Sequence, residues 1–286
     1  MVHSTWDDWL VRSEIEAADP EGVSLWFLGC NGFVVRSAEA TIYIDPYFGD
    51  GDPPRVVRMI PVPMDPADAT DCDAVFATHE HVDHMHPPSY DPLVNDLGAD
   101  IHAPAAAYEE PEYEGEMRVP AERRHEVEPG DSIDIGDVTV HVRGAYDPDS
   151  AEPVSYVLEH EAGTLFHGGD TKPADAFADL GREFDIDAGI LAFGTRGNIA
   201  EHDGSVHRVS WYMNADQAIE AANDLRLDRL LPTHYDMWNG VDGDRKAVFE
   251  AARSHPYPRR IDPIRIGDRI DLGEPGIALP RSLRQG

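Results

Sequence analysis

The chain predicts an α/β fold with two central sheets, each covered by helices on its outer face. Three observations lead there: strand-like stretches fill both halves, helices with recognisable start signals follow several of them, and ligand-type residues sit just past three separate strand ends. Residues 23–29 and 32–36 read as two strands of a hairpin, and 41–46 as a third, with the partial alternation that buried strands allow. Residues 73–77 form the next strand, and 89–97 a short helix closed by Gly98. The acidic run at 108–117 reads as a solvated loop whose charges need no function. In the second half, 131–135 and 137–146 alternate like a second sheet, followed by strands 154–159 and 164–167 across a Glu-Ala-Gly turn. Pro173 suits a first helical position after Asp170, with Gly181 as the stop. Asn214 and Gln217 form a capping box for a helix with Ala218, Ile219, Ala222 and Leu225 on one face. Strand 229–233 delivers His234, and 244–253 is a last helix.

At 286 residues and 41% hydrophobic content the chain can bury one large core. There is no linker, fixed-period repeat or low-complexity tract, so a single domain over residues 1–286 is expected. No apolar run is long enough to span a bilayer and the first residues carry no leader pattern, which predicts a cytoplasmic protein without a membrane partner. Cys30 and Cys72 stand apart and read as reduced, packed thiols. The charge balance is extreme: 55 acidic against 23 basic residues, net −32, with Lys172 and Lys246 the only lysines. Such a surface suits high salt and loosens by self-repulsion in dilute buffer. It also argues, weakly, against nucleic acid as a partner, and leaves a homo-oligomer open.

The chemistry concentrates in Thr78-His79-Glu80-His81-Val82-Asp83-His84, three imidazoles and two carboxylates in six consecutive residues after a strand. Imidazole and carboxylate suit zinc, manganese and iron, and a turn can aim several of them at one point, so this is a metal-binding loop. Glu80 is its weakest member, facing solvent or supporting the others. Asp170, in His167-Gly168-Gly169-Asp170-Thr171, and His234, in Pro232-Thr233-His234-Tyr235-Asp236, also lie at strand ends, where α/β folds place their sites. Alone, Asp170 would read as a helix cap; beside the histidine loop it reads as a metal ligand whose preceding glycines permit close backbone approach.

These residues resemble the metallo-β-lactamase superfamily: its HxHxDH loop matches His79, His81, Asp83 and His84, and its later Asp and final His match Asp170 and His234. Within it the chain is similar to the L-ascorbate-6-phosphate lactonase family through Trp26-Phe27-Leu28-Gly29-Cys30, residues 73–79 and 163–170, Thr195-Arg196-Gly197 and His234-Tyr235-Asp236-Met237-Trp238, over about residues 6–238. The resemblance implies a four-layer αβ/βα sandwich and a hydrolase of a small lactone or ester, acting through a metal-activated hydroxide with one or two divalent ions, zinc or manganese. It places His79 and His81 at one metal position and offers Asp147 as their partner, since the superfamily's further histidine is missing from Ala145-Tyr146-Asp147-Pro148. Asp147 is either that ligand or a turn former before Pro148. Asp83, His84 and His234 would form the other position, Asp170 would bridge, and Asp83 or Asp170 would orient the attacking water.

The lactonase family carries histidines where this chain has Lys172 and Tyr235, so both are candidate substrate contacts, as is Arg196, for a substrate that could be anionic. Each basic residue has a plainer alternative, as a surface lysine or as the partner of one of the many acids. His202 and His207 either gate the mouth or face solvent, His86, His102, His125 and His141 read as structural or exposed, and His167 could hydrogen-bond behind Asp170. Phosphoester or phosphodiester cleavage, a non-catalytic metal- and metabolite-binding role, and iron redox chemistry are the competing functions.

Overall fold

The computed structural model describes residues 3–194, 197–241 and 243–272, and the backbone of 277–278. Two large sheets lie face to face. The first runs, edge to edge, Ile277–Ala278, Arg269–Asp271, Ser24–Gly29, Gly32–Arg36, Thr41–Ile44, Ala74–Phe76, Asp100–Ala103 and Arg124–Glu126. The second runs Arg260–Ile261, Arg229–Thr233, Ala188–Ala192, Gly163–His167, Val154–His160, Val138–Gly144 and Ser132–Ile135. Each sheet is antiparallel in one half and parallel in the other: Thr41–Ile44 runs parallel to Ala74–Phe76, and Gly163–His167 to Ala188–Ala192.

Side chains alternate between three cores, which is why the strands show so little alternation in sequence. From the first sheet, Leu25, Phe27, Phe33, Val35, Ile42 and Phe76 point inward to meet Val140, Tyr156, Leu165, Ile190 and Leu231 of the second. Their neighbours Trp26, Leu28, Val34, Tyr43 and Val75 face outward, onto Leu10, Val11 and Ile15 and the helix Pro87–Asn95. On the far side Val157, Phe166, Leu191 and Leu230 pack beneath the helices Phe177–Glu183, Ala215–Asp224 and Arg245–Ala252. A strand covered on both faces needs apolar residues at every position, and burying each large side chain contributes about 1.5–3 kcal/mol. The result is the expected αβ/βα sandwich. No helix among the described residues is long and apolar enough to cross a membrane.

Three elements depart from the sequence reading, the last of them at both its start and its stop. The first sheet is not made by the first half alone, because Arg269–Asp271 returns to pair with Ser24–Gly29, with Leu25 opposite Ile270. The helix expected at 89–97 spans Pro87–Asn95, with prolines in its first two positions, where a missing N–H goes unnoticed. The helix after Asp170 begins only at Phe177, since Lys172 N donates to Tyr146 O (2.6 Å) and holds the preceding segment against the 145–147 loop. Gly181 lies inside that helix rather than ending it: a Cβ there would stand 2.3 Å from Asp224 O, so the glycine permits a close helix contact. The capping box of Asn214 and Gln217 forms as expected.

Candidate functional site

The parallel strands of both sheets end on one side of the molecule, and the loops there converge. Asp45 follows Thr41–Ile44, the histidine loop follows Ala74–Phe76, Asp170 follows Gly163–His167 and His234 follows Arg229–Thr233. His79, Asp83, His84, Asp147, Asp170 and His234 are all buried and His81 is partly so. Three of the non-glycine residues with φ in the left-handed region, Cys30 (59°), Asp45 (45°) and His234 (67°), lie at this site, where strained backbone tends to collect.

Hydrogen bonds behind the histidines fix which ring nitrogen is bare. His79 Nδ1 donates to Thr78 Oγ1 (2.9 Å), whose own proton goes to Asp45 Oδ2 (2.8 Å). His84 Nδ1 donates to the same carboxylate oxygen of Asp45 (2.8 Å), and His81 Nε2 to Asp149 O (3.1 Å). This network sets the tautomers of the neutral rings and turns His79 Nε2, His81 Nδ1 and His84 Nε2 inward as the atoms free to bind a metal. His79 Nε2 and His81 Nδ1 face each other at 2.9 Å. Burial opposes charge on His81, but Asp83, Glu112 and Asp170 outweigh it and raise its pKa, so either a proton on His81 or a metal ion can satisfy the pair.

Two groups of donors result. One comprises His79, His81 and Asp147, the other Cys30, Asp83, His84 and His234, and His79, His84 and Asp170 form a cluster between them. Asp170 Oδ2 stands 3.2 Å from His84 Nε2 and Oδ1 stands 3.2 Å from His234 Nε2. Asp83 Oδ2 lies 3.8 Å and 3.6 Å from the same two nitrogens. His84 Nε2 is sealed from solvent yet meets the geometry of no hydrogen bond, an orphan that a divalent ion would satisfy. Burial opposes charge on His84, but Asp170, Asp45 and Asp83 outweigh it and raise its pKa well above the usual imidazole value. Burial likewise pushes Asp170 up, while His234 and His84 overcome it and hold the carboxylate ionised. Burial, with His84 and His81 beside it, keeps His79 neutral, as a ligand must be. Histidine and carboxylate donors gathered around a strongly cation-seeking point fit a divalent metal.

Asp147 takes the turn-forming role that its sequence left open, and its carboxylate also lies beside His81. Its Oδ1 accepts from Asp149 N (3.1 Å) in a turn, and its Oδ2 lies 3.9 Å from His81 Nδ1. Burial and the nearby Asp170 raise its pKa to about 6. Glu80 holds that loop in place, accepting from Ser150 Oγ (2.8 Å) and Ala151 N (2.7 Å). The acidic run is also tied in, through Glu112 Oε2, which accepts from Val82 N (3.1 Å). His167 supports Asp170 indirectly: its Nε2 donates to Asn31 O (2.9 Å), and Asn31 Nδ2 donates to Asp170 Oδ1 (2.9 Å).

The centre opens into a cavity of about 350 Å³, walled by Trp211, Tyr212 and Trp238. Arg55 is the only arginine or lysine among the described residues lining it; its guanidinium lies over Trp211 and its Nε donates to Glu201 Oε2 (2.8 Å). Two expected substrate contacts lie elsewhere. The Tyr235 hydroxyl donates to Ile264 O (3.3 Å), because its ring packs against Phe193. Lys172 Nζ reaches Ser210 O (3.4 Å) and does not line the cavity. Arg196 lies outside the described residues. His202 pairs with Asp52 (2.9 Å) on the cavity rim, whereas His207 bonds Ser205 in solvent. Asp45, Asn31, Cys30 and Arg55 were not singled out from sequence; of these only Asp45, an acid at a strand end before proline, carries a local signal.

Residues 40–235, more than half of the chain, match the family model described as a beta-lactamase superfamily domain. The chain belongs to that superfamily, as one of its metal-dependent hydrolases. Closer to a particular relative, it is 23% identical to a protein of Escherichia fergusonii named as a probable L-ascorbate-6-phosphate lactonase, UlaG, over 85% of this chain and 78% of that one. Among solved structures it is similar to Igni18, a metallo hydrolase from the hyperthermophilic archaeon Ignicoccus hospitalis, with a TM-score of 0.64, 17% identity, and coverage of 87% of this chain and 97% of that one. An isothiocyanate hydrolase from Delia radicum gut bacteria gives 0.61, 16%, 87% and 98%. At such identities the two structures show a shared fold alone.

Proposed function

We propose that the chain hydrolyses a small lactone or ester at a two-position metal centre, with His79, His81 and Asp147 at one position, Asp83, His84 and His234 at the other, and Asp170 between them. The observation that carries this reading is the gathering of these donors into adjoining clusters, with the wholly buried His84 Nε2 among them left without a hydrogen bond. A divalent ion, when bound, supplies Lewis acidity and brings the pKa of water toward neutrality. Zinc and manganese both suit these donors.

The protein's own groups do the rest. Asp45 and Thr78 keep the imidazoles in register, and Asn31 fixes the rotation of Asp170 by donating to Oδ1. Asp83 and Asp170, which also line the cavity, are placed to orient the attacking water and accept its proton. Trp211 and Trp238 exclude water from the substrate's apolar face, and Arg55 offers a fork to an anionic substituent. No serine or cysteine nucleophile is required. The similarity to the lactonase-named relative supports the carbonyl substrate.

The test is metal analysis of protein purified at high salt, together with turnover of a lactone panel and of bis-p-nitrophenyl phosphate. Lactone hydrolysis that disappears, along with bound metal, in His79→Ala and Asp170→Ala is the expected result. Turnover of the phosphodiester with inert lactones would transfer the reading to a phosphodiesterase, and hydrolysis by a metal-free variant would end it.

A further inference from the structure

The two-residue turn between Ser24–Gly29 and Gly32–Arg36 carries Cys30 and Asn31, and both side chains enter the centre. Asn31 holds Asp170, as described above. Cys30 sits at φ 59°, at a turn position where glycine is preferred, and is 1% exposed. Its Sγ lies 3.4 Å from His234 Nε2, 3.5 Å from Asp83 Oδ2 and 3.6 Å from Asp83 O. The other thiol, Cys72, is packed against the first sheet and bonds its neighbour Ala74 O.

We infer that Cys30 is a metal ligand, the sulfur donor that completes the position of Asp83, His84 and His234. This rests on the proposed metal-dependent function. Two observations converge on it. The sulfur shares one tight cluster with Asp83, His84 and His234. Into the same cluster points His84 Nε2, wholly buried and without a hydrogen bond of acceptable geometry. A thiol donating to Asp83 would account for one contact and leave that nitrogen orphaned; a shared ion accounts for both.

Ligation releases the thiol proton to solvent as the sulfur–metal bond forms, so the sulfur enters as thiolate. A thiolate selects for softer ions, and this position therefore prefers zinc to manganese. The other position, with imidazole and carboxylate donors only, carries no such bias.

Cobalt(II) reports thiolate ligation directly, through a near-ultraviolet sulfur-to-cobalt charge-transfer band. Cobalt-loaded protein is expected to show that band, to keep it in Cys72→Ser and to lose it in Cys30→Ser. Competition between zinc and manganese should separate the variants as well, the zinc preference falling at least tenfold in Cys30→Ser. Should Cys30→Ser fail to fold, Cys72→Ser alone decides, because any band then comes from Cys30. Cobalt-loaded protein that hydrolyses lactones with no band, or a band that survives Cys30→Ser, overturns the inference and leaves the hydrolase standing. Failure to bind cobalt at all removes both.

Discussion

At the scale of single residues, the centre depends on groups that never meet substrate. Asp45 accepts from both Thr78 Oγ1 and His84 Nδ1, so Asp45→Asn puts a donor where two protons already point. His84 then loses its tautomer, and metal affinity at its position should fall about 10–100-fold, as metal-binding isotherms will show. Rescue by Asp45→Glu would confirm a positioning role. His102 makes a separate prediction. It stacks on Phe76 and His125, and burial, with His125 nearby, lowers its pKa from 6.5 to about 4. The unfolded chain takes up a proton below pH 6.5 that the folded chain refuses until about pH 4, so stability falls as the pH drops through this window and is unaffected above it. The loss is on the order of 3 kcal/mol, and urea titrations of wild type and His102→Phe across the window should differ by it. The donors of the histidine loop are legible in sequence because they lie within six residues. Asn31 and Cys30 are not, since each becomes part of the centre only when other strands close over it, and Asp45 shows no more than an acid at a strand end before proline.

At the scale of elements, the regular pieces with a local signature were readable: the capping box of Ala215–Asp224 and the strands that deliver His79, Asp170 and His234. What escaped was set by contacts between elements. Arg269–Asp271 has three residues and becomes a strand because Ser24–Gly29 offers it a free edge. Gly181 is the sharpest case, because helix propensity and packing predict opposite signs. Propensity alone would make Gly181→Ala stabilising by about 1 kcal/mol. The new Cβ would instead meet Asp224 O at 2.3 Å and the Leu225 carbonyl carbon at 2.7 Å, backbone atoms that cannot swing aside. Packing wins, and the variant should lose about 1–3 kcal/mol in urea unfolding; a neutral or stabilised Gly181→Ala would mean that the two helices can separate freely.

At the scale of the whole molecule, a net charge of −32 sets conditions under which the site exists at all. Among the described residues, Asp45, Asp83, Asp147 and Asp170 at the centre have only histidines as their ion-pair partners, so the field of the surface adds to a core that already seeks cations. In dilute buffer the surface charges repel over tens of ångströms; at molar salt the screening length falls to about 3 Å. Salt also weakens attractive pairs such as Arg259–Asp228 and Arg12–Glu16, but exposed pairs of this kind contribute only about 0–1 kcal/mol each. With 55 acids against 23 basic residues, repulsion dominates that balance. The thermal midpoint should therefore rise by roughly 5–10 °C between dilute buffer and molar KCl. Sodium chloride should act like potassium chloride, because screening depends on ionic strength and not on the ion's identity. The metal-free protein should show the larger rise, having lost the cations that partly neutralise its centre. A midpoint that is unchanged by salt would mean that the acids are spaced too widely to repel, and that the acidic surface has no bearing on stability.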